Sequence, residues 1–233
     1  MRTDLRGFLA RTGGWRGLLC VAPHPDDESA GCGGLLAGAA RVGVPVSVVV
    51  TTDGAASHQS RTWPKERLAA RRRAELAAAL DVLGVRRPAR HLDLRDAGTP
   101  TAVETRRAER DLAAIMRRAR PGLVLVTWRR EPHGDHRQAA ALVRAAAAAM
   151  QVRTAEYVVW TPLTGRPGDA PGPGEGEPLD LVLSARDRQA KRAALACHRS
   201  QHGEVVTDDP GGFALTSEEV GQMTGPIERY RLT

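Results

Sequence analysis

Residues 17–23 (GLLCVAP), 44–52 (VPVSVVVTT) and 122–128 (GLVLVTW) are almost unbroken apolar runs. They are too short for ordinary helices, and none leaves a polar face for water. A strand apolar at nearly every position has to be covered on both sides, which is the condition of a parallel sheet sandwiched by helices. Helix-length segments alternate with these runs. ESAGCGGLLAGAARVG (28–43) reads as a helix of small residues ending near Gly43. WPKERLAARRRAELAAALDVLG (63–84) is a longer one, with Pro64 suited to its first turn and Gly84 to the position past its last. ETRRAERDLAAIMRRAR (104–120) is stopped by Pro121 and Gly122, and DHRQAAALVRAAAAAM spans 135–150. ARHLDL (89–94), EYVVWTP (156–162) and LDLVLSA (179–185) add strands, and RDRQAKRAALACHRSQ (186–201) adds a helix. This βαβαβ rhythm predicts an α/β fold, a mostly parallel Rossmann-like sheet with helices on both faces. Residues 164–178, dense in Gly and Pro, are expected to form a surface loop within one domain spanning 1–233. The tail from Glu204 is expected to be irregular, with a short helix around Ser217 to Gln222.

Charge limits the partners. The formal net charge is +7, and Lys65 and Lys191 are the only lysines, so the basicity is arginine. Those arginines alternate with glutamates along the helices, as solvated faces do. Aromatics make up only 3% of the chain, so base-stacking platforms are lacking and nucleic acid is not an expected partner. An acidic small molecule remains compatible with the basic surface. Cys20, Cys32 and Cys197 form no CxxC pair and are expected as reduced thiols. No apolar run reaches the roughly 18 to 20 residues of a membrane span, and no signal-peptide core precedes a cleavage site. The expected location is the cytoplasm.

In open α/β sheets, ligands bind beyond the carboxyl ends of the strands, near a reversal of strand order. APHPDDE (22–28) follows the first apolar run, and RREPHGDH (129–136) follows a later one. Both His/Asp clusters therefore fall on one edge of the sheet, the place for a metal site. Three adjacent carboxylates repel one another unless a cation sits among them. His24, one of the paired aspartates and His136 make two imidazoles and a carboxylate. That set binds Zn²⁺ at three positions and leaves a fourth for water; Fe²⁺ and Mn²⁺ also tolerate it. The remaining aspartate is free to take a proton from the activated water, but spacing alone does not assign Asp26 and Asp27 to these jobs. Across the site, His133 is placed to stabilise an oxyanion or protonate a leaving amine, with Asp135 to orient it. The assembly indicates metal-assisted hydrolysis of a carbonyl compound. A non-haem Fe(II) oxygenase uses a similar triad but needs a co-substrate site. A non-catalytic basic binding module would have no use for Asp26 or His133.

APHPDDE together with PHGDH (132–136) resembles the LmbE/PIG-L family of zinc-dependent N-acetylglucosaminyl deacetylases. TTDGAASH, RRAELAAALDVLGV and KRAALACHRSQ are similar to further family segments. The resemblance implies His24, Asp27 and His136 as zinc ligands, Asp26 as general base, His133 as the oxyanion and leaving-group residue, and Asp135 as its partner. It implies hydrolysis of an N-acetyl amino sugar or its conjugate, or of a larger N-acyl conjugate, by water activated at the metal. Some relatives carry a tyrosine just before the second motif. Here Arg129, Arg130 and Glu131 stand there, and Arg129 is a candidate replacement donor. Arg72 matches a family arginine that can touch substrate, but also reads as one more exposed helix arginine. Glu28 is expected to support the turn or the helix start. Asp53 and Asp93 are placed either to bind sugar hydroxyls or to cap turns. GCGG (31–34) lacks the lysine and spacing of a phosphate loop and reads as a close helix–sheet contact. His58 and His91 are isolated. His198 and His202 read as packing residues, with Ser200 and Gln201 holding a loop near the site.

Overall fold

The computed structural model describes residues 1–166 and 168–233. Its eight strands are β1 (Arg2–Thr3), β2 (Leu18–Ala22), β3 (Val46–Thr52), β4 (Arg90–Leu94), β5 (Leu123–Thr127), β6 (Arg153–Tyr157), β7 (Glu177–Val182) and β8 (Ile227–Leu232). The helices are α1 (Leu5–Thr12), α2 (Asp27–Arg41), α3 (Lys65–Val82), α4 (Ala102–Ala119), α5 (Gly134–Met150), α6 (Thr161–Thr164), α7 (Ala185–Ala196) and α8 (Ser217–Met223). One sheet holds all the strands in the order β1-β7-β8-β6-β5-β2-β3-β4.

The apolar runs behave as their composition requires. Every residue of β2 and of β5 is buried. Leu18 of β2 is in parallel register with Val46 of β3 on one side and Leu123 of β5 on the other. Along β2, Leu18 and Cys20 join a core with residues of α1, α2, α3 and α7. Leu19 and Val21 point the other way, into a core shared with α4 and α5. Both faces are thus covered, and the fold is α/β with a mostly parallel sheet. From β2 the chain steps outward through β3 to β4; α4 then carries it back to β5 on the opposite flank of β2. Strand order therefore reverses between β2 and β5, and a cleft opens beyond their carboxyl ends.

The GCGG segment works by close approach, as expected. A Cβ on Gly31 would overlap the Tyr157 ring, and one on Gly34 would press on Leu183. Cys20 and Cys32 lie buried with their sulfurs 3.5 Å apart as free thiols.

Several assignments change. The sequence reading gave no element to the first sixteen residues, yet Asp4 caps α1 by accepting the Gly7 amide at 2.8 Å, and β1 extends the sheet. The strand expected at 156–162 runs earlier, from Arg153 to Tyr157. In the tail, the short helix expected around Ser217 to Gln222 forms as α8, but the segment otherwise expected to be irregular also contains β8, which lies antiparallel between β6 and β7. Its inward face carries Glu228, which accepts hydrogen bonds from Lys191 Nζ (2.8 Å), the Gly34 and Leu35 amides (2.8 and 2.9 Å) and the Tyr230 hydroxyl (2.9 Å). The long last helix also stops sooner, at Ala196. The expected loop 164–178 overlaps α6 and β7 at its ends, and Pro167 lies outside the described residues.

Candidate metal centre

The turn from β2 into α2 is held by several bonds. The Thr51 and Thr52 hydroxyls and the Thr52 amide all donate to the Pro23 carbonyl. Asp26, at the start of α2, takes φ 143° and ψ −29°, a backbone conformation that costs a side-chain-bearing residue on the order of 1–3 kcal/mol. The turn from β5 leads into α5 with His133 as its cap, its Nδ1 accepting the Asp135 amide at 3.2 Å.

These two turns bring His24, Asp27 and His136 together. Asp27 Oδ2 lies 3.1 Å from His24 Nδ1 and 3.3 Å from His136 Nε2. The far nitrogens of both rings also meet carboxylates. His24 Nε2 is 3.1 Å from Asp135 Oδ2 and 3.2 Å from Asp96 Oδ1, and His136 Nδ1 is 3.3 Å from Glu131 Oε2. His136 is fully buried, and neither of its ring nitrogens makes a well-formed hydrogen bond. A buried imidazole without such a bond, beside a carboxylate that faces a second imidazole, fits a divalent cation better than a hydrogen-bonded network. The groupings whose ligand atoms all converge within 4.8 Å are His24 with His133 and His136, and His24 with Asp96 and Asp135.

The charges respond to this crowding. Burial would raise the Asp27 carboxyl, but His136 and His24 hold it well below the usual carboxylate range. Burial pushes Asp26 up to about 6, with the Arg72 guanidinium pulling against it. Burial lowers His133, and the nearby His24 and His136 lower it further. Beside the cluster lies a cavity of about 430 Å³, lined by His24, Asp26, Arg72, Asp96, His133 and Trp160 among others.

A site with these residues at this strand-order reversal invites comparison with known proteins. The sequence model of the PIG-L family, described as GlcNAc-PI de-N-acetylase, matches residues 19–147, more than half of the chain. The chain belongs to the PIG-L family. A 1D-myo-inositol 2-acetamido-2-deoxy-alpha-D-glucopyranoside deacetylase of Nakamurella multipartita is 32% identical, over 92% of this chain and 88% of that protein. A diacetylchitobiose deacetylase of Thermococcus kodakarensis is 34% identical over 52% of this chain, which spans only 45% of that relative's length. Among solved structures, the N,N'-diacetylchitobiose deacetylase of Pyrococcus horikoshii shares the fold at a TM-score of 0.65 and 24% identity, over 94% of this chain and 84% of the other.

In this PIG-L chain, the six residues of the two motifs gather as the sequence suggested, but two partnerships differ. The Asp135 carboxylate does not hydrogen-bond His133. It lies 3.8 Å from Nδ1 and instead takes His24 Nε2 and the Ala97 amide, while its own amide holds the His133 ring. Arg129 is also not a donor to the cavity. Its guanidinium stacks on Trp128 and bonds both oxygens of buried Glu156 at 3.0 and 2.9 Å, which turns it away. Arg72 is not an exposed helix residue: it is buried, donates to the Gly54 and Pro25 carbonyls at 2.7 Å each, and pairs with Asp26 at 3.1 Å. Asp53 caps its own turn through the Ala55 amide, Asp93 pairs with Arg73 at the surface, and neither lines the cavity. His58 and His91 do not line it either.

The sequence reading missed Asp96 and Glu131. Asp96 accepts the Ala56 amide at 2.6 Å. Glu131, which lies just before the second motif, accepts the Val159, Trp160 and Thr161 amides and so ties the Trp160 wall to His136. No helix among the described residues is long and apolar enough to cross a membrane.

Proposed function

We propose that this chain removes an acetyl group from the amide nitrogen of an N-acetyl amino sugar or its conjugate, using a divalent cation, Zn²⁺ in the first instance, held by His24, Asp27 and His136. One observation carries this reading. Asp27 Oδ2 sits between two imidazoles, one fully buried without a well-formed hydrogen bond, with a second aspartate of raised proton affinity alongside. The relatives support it, since their names give them deacetylase activity on acetamido sugars. Bound there, the cation would polarise the amide carbonyl and make water more acidic.

The chain's own groups supply the rest. Asp26 faces the cavity and takes the proton of the attacking water. At about 6 its proton affinity leaves it ionised at neutral pH while keeping it basic enough to be an effective acceptor. His133 accepts the Asp135 amide at Nδ1, which leaves Nε2–H to donate to the oxyanion forming in the cavity. Asp26, now protonated, returns its proton to the departing amine. A second cavity of about 550 Å³ shares Pro132 and Thr164 with the first; Arg137 and Arg166 line it together with Glu131, Asp169 and an Arg130 already paired with Glu175. It supports a conjugate that bears an acidic group, and added salt would then raise KM.

The test is acetate release from N-acetylglucosamine, its 1-phosphate and N,N'-diacetylchitobiose by zinc-loaded protein, with zinc-loaded Asp26→Ala beside it. Release by the wild type that vanishes in the variant is expected. Equal release by both would overturn Asp26 as the base, and no release from any of the three would overturn the N-acetyl sugar reading.

A further inference from the structure

The CHRSQH segment after α7 (197–202) has no part in the chemistry above, yet His198 is fully buried within reach of the site. Its Nε2 lies 3.2 Å from Glu28 Oε1, which also accepts the Ser29 hydroxyl at 2.6 Å. The other oxygen, Glu28 Oε2, accepts the amide of Asp26 at 3.0 Å. Asp26 is a distinctive backbone position. The other described non-glycine residues with positive φ lie between 46° and 53°, the ordinary left-handed region, whereas Asp26 is at 143°. Its preceding carbonyl, that of Pro25, is tied to Arg72 Nη2 at 2.7 Å. A peptide held from both sides in a costly conformation aims its side chain only while the holders stay in place.

We propose that the buried Glu28–His198 pair is a positioning device for Asp26: Glu28 fixes the Asp26 amide, and His198, brought from the far end of the chain, fixes Glu28. The inference rests on the reading of Asp26 as the base. It gives His198 a role that packing does not explain, since a packing residue would be replaceable by leucine. A hydrogen-bond donor in the same place is what the geometry requires, and glutamine, whose amide reaches the Nε2 position, supplies one.

Four zinc-loaded variants decide it, His198→Leu, His198→Gln, Glu28→Gln and Asp26→Ala, each assayed for acetate release from N,N'-diacetylchitobiose. His198→Leu and Glu28→Gln should lose on the order of 10²-fold in kcat, the cost of a misplaced catalytic group. KM should change little, zinc content should match the wild type, and His198→Gln should recover most of the rate. Full kcat in folded His198→Leu, or equal losses in His198→Leu and His198→Gln, would overturn the proposal. Full activity in Asp26→Ala would instead overturn the underlying reading. A readout independent of turnover is solvent exchange of the Asp26 amide proton. It should speed up at least about tenfold in His198→Leu, because its acceptor is released. Unchanged exchange would contradict the proposal even if the wild type hydrolyses nothing.

Discussion

The molecule buries two clusters of charge, and they are built differently. Between α2, α7 and β8, Lys191 and Glu228 form an ion pair in which the carboxylate also takes two helix amides and a tyrosine hydroxyl. That carboxylate has a donor on every side. At the ends of β2 and β5, the second cluster has a fully buried imidazole without a well-formed hydrogen bond, carboxylates facing several nitrogens, and an aspartate in costly backbone geometry. A satisfied buried network has nothing left to offer a ligand. An unsatisfied one in which imidazoles and carboxylates converge on one point is where a cation can complete it.

The contrast can be broken by mutation. In the site, Asp26→Asn keeps shape and removes the base. Its activity should fall by about 10²–10⁴-fold, while its melting temperature moves far less than that of a structural variant. In the structural cluster, Lys191→Ala leaves Glu228 buried without its cation. It should cost about 3–5 kcal/mol of stability, read in denaturant unfolding, while kcat of the surviving folded protein stays near wild type. A reversal of these signatures would erase the distinction.

A smaller effect sharpens it. Zinc added to chelated protein at about 100 times its dissociation constant should stabilise the fold by about 2.7 kcal/mol. Lys191→Ala should keep that increment, and His136→Ala should lose it.

The smallest effect concerns a half-buried histidine outside both clusters. Burial lowers His91 below its ordinary value, with Arg73 adding to this, so the unfolded chain takes up its proton first. Its contribution to stability is intact above about pH 6.5 and is lost as pH falls below it. His91→Gln should therefore flatten the stability–pH slope below pH 6.5. An unaltered slope would show that His91 titrates alike in both states.

The same contrast explains what the sequence disclosed. The central strands were legible because a strand buried on both faces must be almost wholly apolar, as β2 is and as β5 is up to Thr127. β8 was not, since IERYRL turns Glu228 and Tyr230 inward, and a buried glutamate reads as exposed until Lys191 is seen against it. In the site, His24, Asp26, Asp27, His133, Asp135 and His136 lie in two short motifs, and the strand ends bring the motifs together. Asp96, Glu131 and the His198 partner of Glu28 stayed hidden because their meaning lies in contacts far along the chain, whereas the support Glu28 gives the turn at Asp26 was legible. Arg129 misled for the same reason: only the fold shows Glu156 beside it.

The most direct test of the central claim is the zinc content of purified, zinc-loaded wild type and His136→Ala, measured by native mass spectrometry. The geometry predicts about one tightly bound ion per wild-type chain, as a three-ligand site with an open position holds, and none retained by the variant. Equal zinc in the two proteins, or none in either, would contradict the assignment of this cluster as a metal centre.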